Sequence, residues 1–164
     1  MIKIGVIADT HIPDRAKEIP AKIMEDFKNA DMVIHAGDIV EEQVLVQLRS
    51  VCKQVYAVAG NMDSAKLQEQ LKAKEVIKAG KYSIGLLHGA GHPNQMIKYI
   101  SSQFKPGEVD VVVFGHSHIP FNEKIGKTIY FNPGSATDQI FSPYNSYGII
   151  ELDDKNISAR IIKV

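Results

Sequence analysis

Five short apolar runs, each ending on a side chain able to bind a cation, constrain this chain more than any other feature. Residues 2–8 run into Asp9 and His11. Met32-Val33-Ile34 leads through His35-Ala36-Gly37 to Asp38, and residues 55–58 lead to Gly60-Asn61. Residues 82–87 end at His88, and residues 110–114, with the β-branched core Val111-Val112-Val113, end at Gly115-His116-Ser117-His118. Runs of this length bounded by turn residues read as buried strands. In open α/β sheets ligands bind beyond the carboxyl ends of the strands. A fold that aligns these strands therefore gathers oxygen and nitrogen donors along one edge.

The order of elements predicts the fold class. Pro20 suits the first turn of a helix, and Ile19, Ile23 and Phe27 recur every four residues. Glu41 and Glu42 open a second helix that shows Val44, Leu45 and Leu48 on one side and Arg49 near its end, a charge order matched to the helix dipole. Residues 64–74 are helix-permissive. Residues 75–79 and 82–87 flank Gly80-Lys81 as a hairpin. Pro93 begins a helix carrying Met96, Ile97, Ile100 and Phe104, stopped by Pro106-Gly107. After His118 the pattern is strands alone: residues 119–125, 128–131, 147–152 and 157–162, with turns at Gly126-Lys127 and at residues 153–156. The front half suggests a mostly parallel sheet and the back half an added antiparallel one. The expected architecture is a four-layer α/β/β/α sandwich of two mixed β-sheets flanked by helices.

A length of 164 residues suits one domain over residues 1–164, and a hydrophobic content of 45% suits a packed core. Lys plus Arg and Asp plus Glu are 19 each, which argues against an extended nucleic-acid or anionic-membrane surface. A small phosphate-bearing ligand at a local site remains compatible with that balance. Cys52 is alone, so no internal disulfide forms, and it reads as structural. No apolar stretch approaches the roughly 20 residues of a membrane span, and the N-terminus is too short for a signal peptide. A soluble cytoplasmic protein is the expectation. Exposed faces of the C-terminal strands leave a homo-oligomer open, with no residue to name for it.

Any one of the donors has a plain explanation. An Asp after a strand caps a helix or shapes a turn, and a lone His is commonly a hydrogen-bonded core residue. Asp9, His11, Asp38, Asn61, His88, His116 and His118 together are hard to explain as turn chemistry. They are also too many for one ion, since zinc or magnesium takes roughly four to six donors. Two metals are expected. Carboxylate can bridge two ions, and the mixture of carboxylate, imidazole and amide suits Mn²⁺, Fe²⁺ or Zn²⁺ better than calcium.

The blocks Asp9-x-His11, Gly37-Asp38, Gly60-Asn61, His88-Gly89 and Gly115-His116-x-His118, in that order, resemble the calcineurin-like metallophosphoesterase superfamily. The spacing, and Asn132-Pro133-Gly134-Ser135, is similar to its small single-domain phosphodiesterase branch, which is related to the retromer-subunit branch. The resemblance covers essentially the whole chain. It implies that Asp9, His11 and His118 hold one metal, that Asn61, His88 and His116 hold the second, and that Asp38 bridges them. It implies two divalent ions, manganese first and nickel, iron or zinc as alternatives. The implied activity is hydrolysis of a small phosphate ester, a phosphodiester above all, by attack of a dimetal-bridging hydroxide.

One position departs from the pattern. Many members of the superfamily carry a His directly after the Asn, where this chain has Met62, which cannot donate a proton. The general acid is thus unassigned. His92 is the candidate catalytic residue for that role, beside Asp38 and Asn61, although it reads equally as a cap for the helix at Pro93. His35 reads as a strand-end histidine or as one that orients a ligand, Asp63 as a helix-opening residue, and residues 132–135 as a turn packed beneath the site. The rival function is a protein-binding scaffold on the same fold with little or no catalysis. Loss of metal-ligand histidines would favour it, and all seven positions are filled here. A further rival, a binuclear hydrolase acting on amides, is opposed by the Gly-Asp, Gly-Asn and Gly-His-x-His blocks.

Overall fold

A computed structural model describes all 164 residues. Ten strands form two five-stranded sheets. In the first sheet, β1 (Ile2–Ile7), β2 (Met32–His35) and β3 (Val55–Ala57) are parallel neighbours. Helix α1 (Ala21–Phe27) and helix α2 (Gln43–Val51) make the crossovers between them. After α3 (Ala65–Gln70), whose first turn is capped by the Ser64 hydroxyl accepting from Leu67 N, the chain leaves this sheet.

The second sheet opens with the hairpin of β4 (Lys74–Ala79) and β5 (Tyr82–Leu87). A 3₁₀ turn over Pro93–Gln95 and α4 (Met96–Ser101) then lead to β6 (Val111–Val113), parallel to β5. β7 (Phe121–Ile125) and β8 (Thr128–Asn132) form a second hairpin whose β8 lies parallel to β6. The last two strands, β9 (Ser146–Leu152) and β10 (Ile157–Lys163), return to the first sheet, where β9 pairs antiparallel with β1. The expected two mixed sheets flanked by helices are what the chain forms.

The division of strands differs from the front-half, back-half split that the sequence suggested. The four strands after His118 go two to each sheet. The reason lies in edges. β2 occupies one side of β1 and leaves the other open, so the final hairpin closes that edge with Ile4 opposite Ile150. The β7–β8 hairpin fills the corresponding edge of β6. Strand periodicity encodes which face is buried and not which edge is taken.

Three apolar clusters fill the three interfaces of the four layers. Between the sheets lie Ile4, Val6, Ile34, Ile84, Val111, Val113 and Phe131. α1 and α2 cover the outer face of the first sheet through Ile23, Phe27, Val44 and Leu48. α4 covers the second through Met96 and Ile100, against Val112 and Phe114. The period of two is visible in β6, where Val111 and Val113 face the sheet interface and Val112 faces α4. No helix is long and apolar enough to cross a membrane. The core fixes β1, β2, β3, β5 and β6 so that the residues after each strand meet at one end of the sandwich.

Candidate metal centre

The loops that carry the donors are held in an uncommon conformation. Asp9, His11, Asp38, His116 and His118 all have positive φ, between 43° and 70°. Non-glycine residues rarely adopt that region, and it persists only where the surroundings impose it. Here the loops bond to one another. Asp9 N donates to Gly37 O, His11 N to Asp38 O, and Gly115 N to His88 O, at 2.9–3.1 Å. His116 N donates to Asp9 Oδ1 at 3.2 Å. Gly60 allows the closest approach, since a Cβ there would collide with the Asp38 backbone and carboxylate.

Two groups of donors share Asp38. Asp9, His11, Asp38 and His118 are all buried and present ligand atoms within 4.8 Å of one another. His11 Nε2 and His118 Nε2 lie 3.2 Å apart. On the other side, Asn61 Oδ1 is 3.1 Å from His88 Nε2 and 3.2 Å from His116 Nδ1. Asp38 Oδ2 is 3.4 Å from His11 Nε2 in the first group and 3.2 Å from His88 Nε2 in the second. Its other oxygen accepts from Met62 N at 2.8 Å.

Three of the histidines have the outward ring nitrogen occupied, which turns the other one inward. His88 Nδ1 donates to Ala36 O at 2.7 Å and His116 Nε2 to Gly91 O at 3.1 Å. His118 Nδ1 donates to Asp138 Oδ2 at 2.6 Å. Such outer partners set the tautomer and ring orientation of metal-binding histidines. With its Nε2 hydrogen used, His116 presents a lone pair at Nδ1 to the Asn61 oxygen, an arrangement that repels unless a cation covers both.

The charges tell the same story. Burial pushes the Asp9 carboxyl up to about 7 despite nearby His88 and His118, and its Oδ2 is buried with no partner. Burial also opposes the charged form of His88, but the Asp38 hydrogen bond and the charges of Asp9 and Asp38 outweigh it and raise the pKa to about 9. Burial lowers His11 and His116. Burial would raise Asp38 too, and the His88 hydrogen bond overcomes it, so the group stays ionised. A buried orphaned carboxylate oxygen costs about 1–3 kcal/mol unless something pairs with it. A divalent cation bound by nitrogen and oxygen donors is the group that these residues fit.

Several supporting contacts have no signature in the sequence. Asp138 lies 20 residues from His118, in no recognisable block, and only the folded loop brings them together. Its Oδ1 accepts from Ile140 N and its Oδ2 from Phe141 N, both at 3.0 Å. Asp63 does not open a helix, because Ser64 does that. Its carboxylate instead accepts from Ile39 N, Val40 N and Gly60 N at 2.6–2.7 Å, tying the Asp38 loop to the Asn61 loop. His35 accepts Gly37 N–H at Nδ1 and so donates from Nε2 to Thr10 Oγ1. Burial drops its pKa to about 3, which keeps it neutral. Residues 132–135 do pack beneath the donors: Asn132 donates to Gly115 O and Ser117 Oγ, and Ser135 Oγ to Asp9 O. His92 is exposed, and its Nδ1 caps the 3₁₀ turn by accepting from Asn94 N at 3.2 Å.

A cavity of about 480 Å³ opens over the cluster, lined by His11, Asp38, Asn61, His116 and His118 and bounded by Asp14, Arg15, Met62, Pro93 and Phe141. His92 is not among its lining residues. Asp9 and His88 are buried behind it.

The family model for the calcineurin-like phosphoesterase superfamily domain matches residues 2–155. The chain belongs to that superfamily. A probable metallophosphoesterase of Methanothermobacter thermautotrophicus is 33% identical over 98% of this chain and 91% of its own length. A phosphodiesterase of Methanocaldococcus jannaschii is 28% identical, covering 99% of this chain and all of its own. The crystal structure of Chaetomium thermophilum Vps29 superposes with a TM-score of 0.79 over 98% of this chain and 95% of that one, at 22% identity, a likeness of fold. This superfamily member therefore pairs a metallophosphoesterase fold with a His/Asp cluster able to bind metal.

Proposed function

We propose that the protein is a metal-dependent phosphodiesterase whose site takes two divalent cations, manganese first, with nickel, iron or zinc as alternatives. Asp9, His11 and His118 would hold one ion and Asn61, His88 and His116 the other, with Asp38 placed to serve both. The observation that carries this reading is Asp38 Oδ2, within 3.4 Å of His11 and 3.2 Å of His88, one histidine from each group. When bound, the ions would supply a water of lowered pKa and a clamp for phosphate oxygens.

The chain's own residues hold and orient. Met62 N occupies Asp38 Oδ1 and leaves Oδ2 for the centre. Asp138, Ala36 O and Gly91 O fix three imidazoles with their inner nitrogens turned toward the centre. The cavity's charge favours a diester. Arg15 is its only guanidinium and stands 3.9 Å from Asp138, while Asp14 adds a negative group on the rim. A monoanionic diester suits that balance better than a dianionic monoester. The full donor set favours catalysis over a scaffold role.

The test uses metal-stripped protein resupplied with Mn²⁺, Ni²⁺, Zn²⁺ or Mg²⁺, with a chromogenic diester and its monoester as substrates and Asp38→Asn as control. Metal-dependent diester turnover that vanishes in the control supports the reading. No turnover with any metal, despite two tightly bound ions per chain, moves the assignment to a scaffold or to a substrate these small esters do not mimic.

A further inference from the structure

The cavity over the donors has two apolar lips that folding does not account for. Phe141 is 66% exposed and Met62 is 57% exposed, and both line the same opening. Large apolar side chains scattered singly over a surface need no explanation, but clustered around a polar cleft they mark a contact surface. Neither lip is a loose loop. Phe141 N donates to Asp138, the carboxylate that also orients His118. Met62 N donates to Asp38. Each apolar wall is thus one hydrogen bond away from the donor cluster and is held in register with it.

The Phe141 ring has defined neighbours. Its centroid is 6.2 Å from that of the His118 ring, at 76°, and the Arg15 guanidinium carbon sits 5.9 Å over it. Arg15 is held in turn by its backbone, Arg15 N donating to His11 O at 2.7 Å. A ring anchored this way, with a cation on it, is a stacking platform. Planar π-systems gain from offset or edge contact with such a ring and from the guanidinium beside it. A thioether such as Met62, at the same opening, also packs well against an aromatic ring. The cavity volume of about 480 Å³ lies in the range of small-molecule sites, roughly 300–1,000 Å³.

The geometry points to Phe141 and Met62 as specificity-determining residues that select phosphate esters carrying a planar aromatic group on the arm that is not the leaving group. This rests on the phosphodiesterase reading above and names its substrate class. A phosphorus centre over Asp38 leaves one ester arm for departure into solvent and one to lie along the lining that Phe141 and Met62 share.

The test separates arm recognition from turnover. The first readout is binding, by calorimetry, of phenylphosphonate and methylphosphonate to the manganese-loaded protein. The second is kcat/KM for para-nitrophenyl phenyl phosphate and methyl para-nitrophenyl phosphate, which share a leaving group. The expected preference for the aromatic arm is about tenfold in both readouts, the size of one ring-stacking contact. Phe141→Ala and Met62→Ala each reduce that ratio, Phe141→Ala to within about twofold of unity, while Phe141→Tyr and Met62→Leu retain it. Equal binding of the two phosphonates overturns the proposal, as does an undiminished ratio in Phe141→Ala. Discrimination in binding with hydrolysis of neither ester upholds the arm site and overturns the phosphodiesterase reading instead.

Discussion

Asp138 Oδ2 accepts the Nδ1 hydrogen of His118 at 2.6 Å, and both side chains are buried. The bond fixes the tautomer that turns His118 Nε2 toward Asp9 and His11. Burial alone would raise the Asp138 carboxyl, but the His118 hydrogen bond and the Ile140 and Phe141 amides hold it below the usual carboxylate range. Asp138 is therefore a positioning residue. Asp138→Asn keeps the shape and loses the charge. Removing a partner of this kind weakens metal affinity by about 10–100-fold. Competition with a chromophoric chelator measures it, and unchanged affinity in the variant would refute the role.

The titration of Asp9 and His88 sets how metal binding depends on pH. Binding needs a carboxylate and neutral imidazoles, so each group still protonated must release its proton. His88, raised to about 9, carries a proton through neutral pH, and Asp9, raised to about 7, carries one below it. The sign follows: affinity rises with pH. Between about pH 7 and 9 one proton leaves, giving about tenfold per unit; below about 7 a second leaves and the slope steepens toward about a hundredfold per unit. Chelator competition across that range is the measurement, and a flat profile would contradict the assignment of both groups to the centre.

Asp63 joins two donor loops through three backbone amides, Ile39 N, Val40 N and Gly60 N. Asp63→Ala leaves those donors without their acceptor in a buried place, at a cost of about 3 kcal/mol. Asp63→Asn keeps one acceptor oxygen and loses less. Urea unfolding of the metal-free protein reads the difference directly, and a loss in Asp63→Ala below about 0.5 kcal/mol would show that water replaces the carboxylate.

What the sequence made legible follows from what its patterns encode. The strands before the donors are readable because buried parallel strands are short, β-branched and closed by turn residues, as in Val111-Val112-Val113 before Gly115. The meeting of Asp9, Asp38, Asn61, His88 and His116 at one end follows from strand direction alone. The destination of the last hairpin was hidden, since β9 would present the same alternating face on either sheet. Asp138 was hidden because its role depends on a contact across 20 residues of irregular chain. Asp63 reads as a cap because a carboxylate before a helix usually is one, and here Ser64 holds that place and frees Asp63 to turn back.

The absence of an imidazole after Asn61 leads to the last prediction. Met62 stands there with no proton to give, and His92, the other candidate, caps Asn94 N through Nδ1 outside the cavity lining. Its exposed ring is spent on the turn that starts α4. His92→Ala should therefore change kcat for a phosphodiester by less than about twofold, with a loss of about 0.5–1 kcal/mol in stability from the cap. With neither Met62 nor His92 to protonate the leaving oxygen, the rate should fall steeply as the leaving group becomes more basic. A series of aryl diesters of graded phenol pKa measures that slope in both proteins. Equal, steep slopes are the expected outcome. A shallow slope in the unaltered protein that steepens in His92→Ala would make His92 the general acid after all.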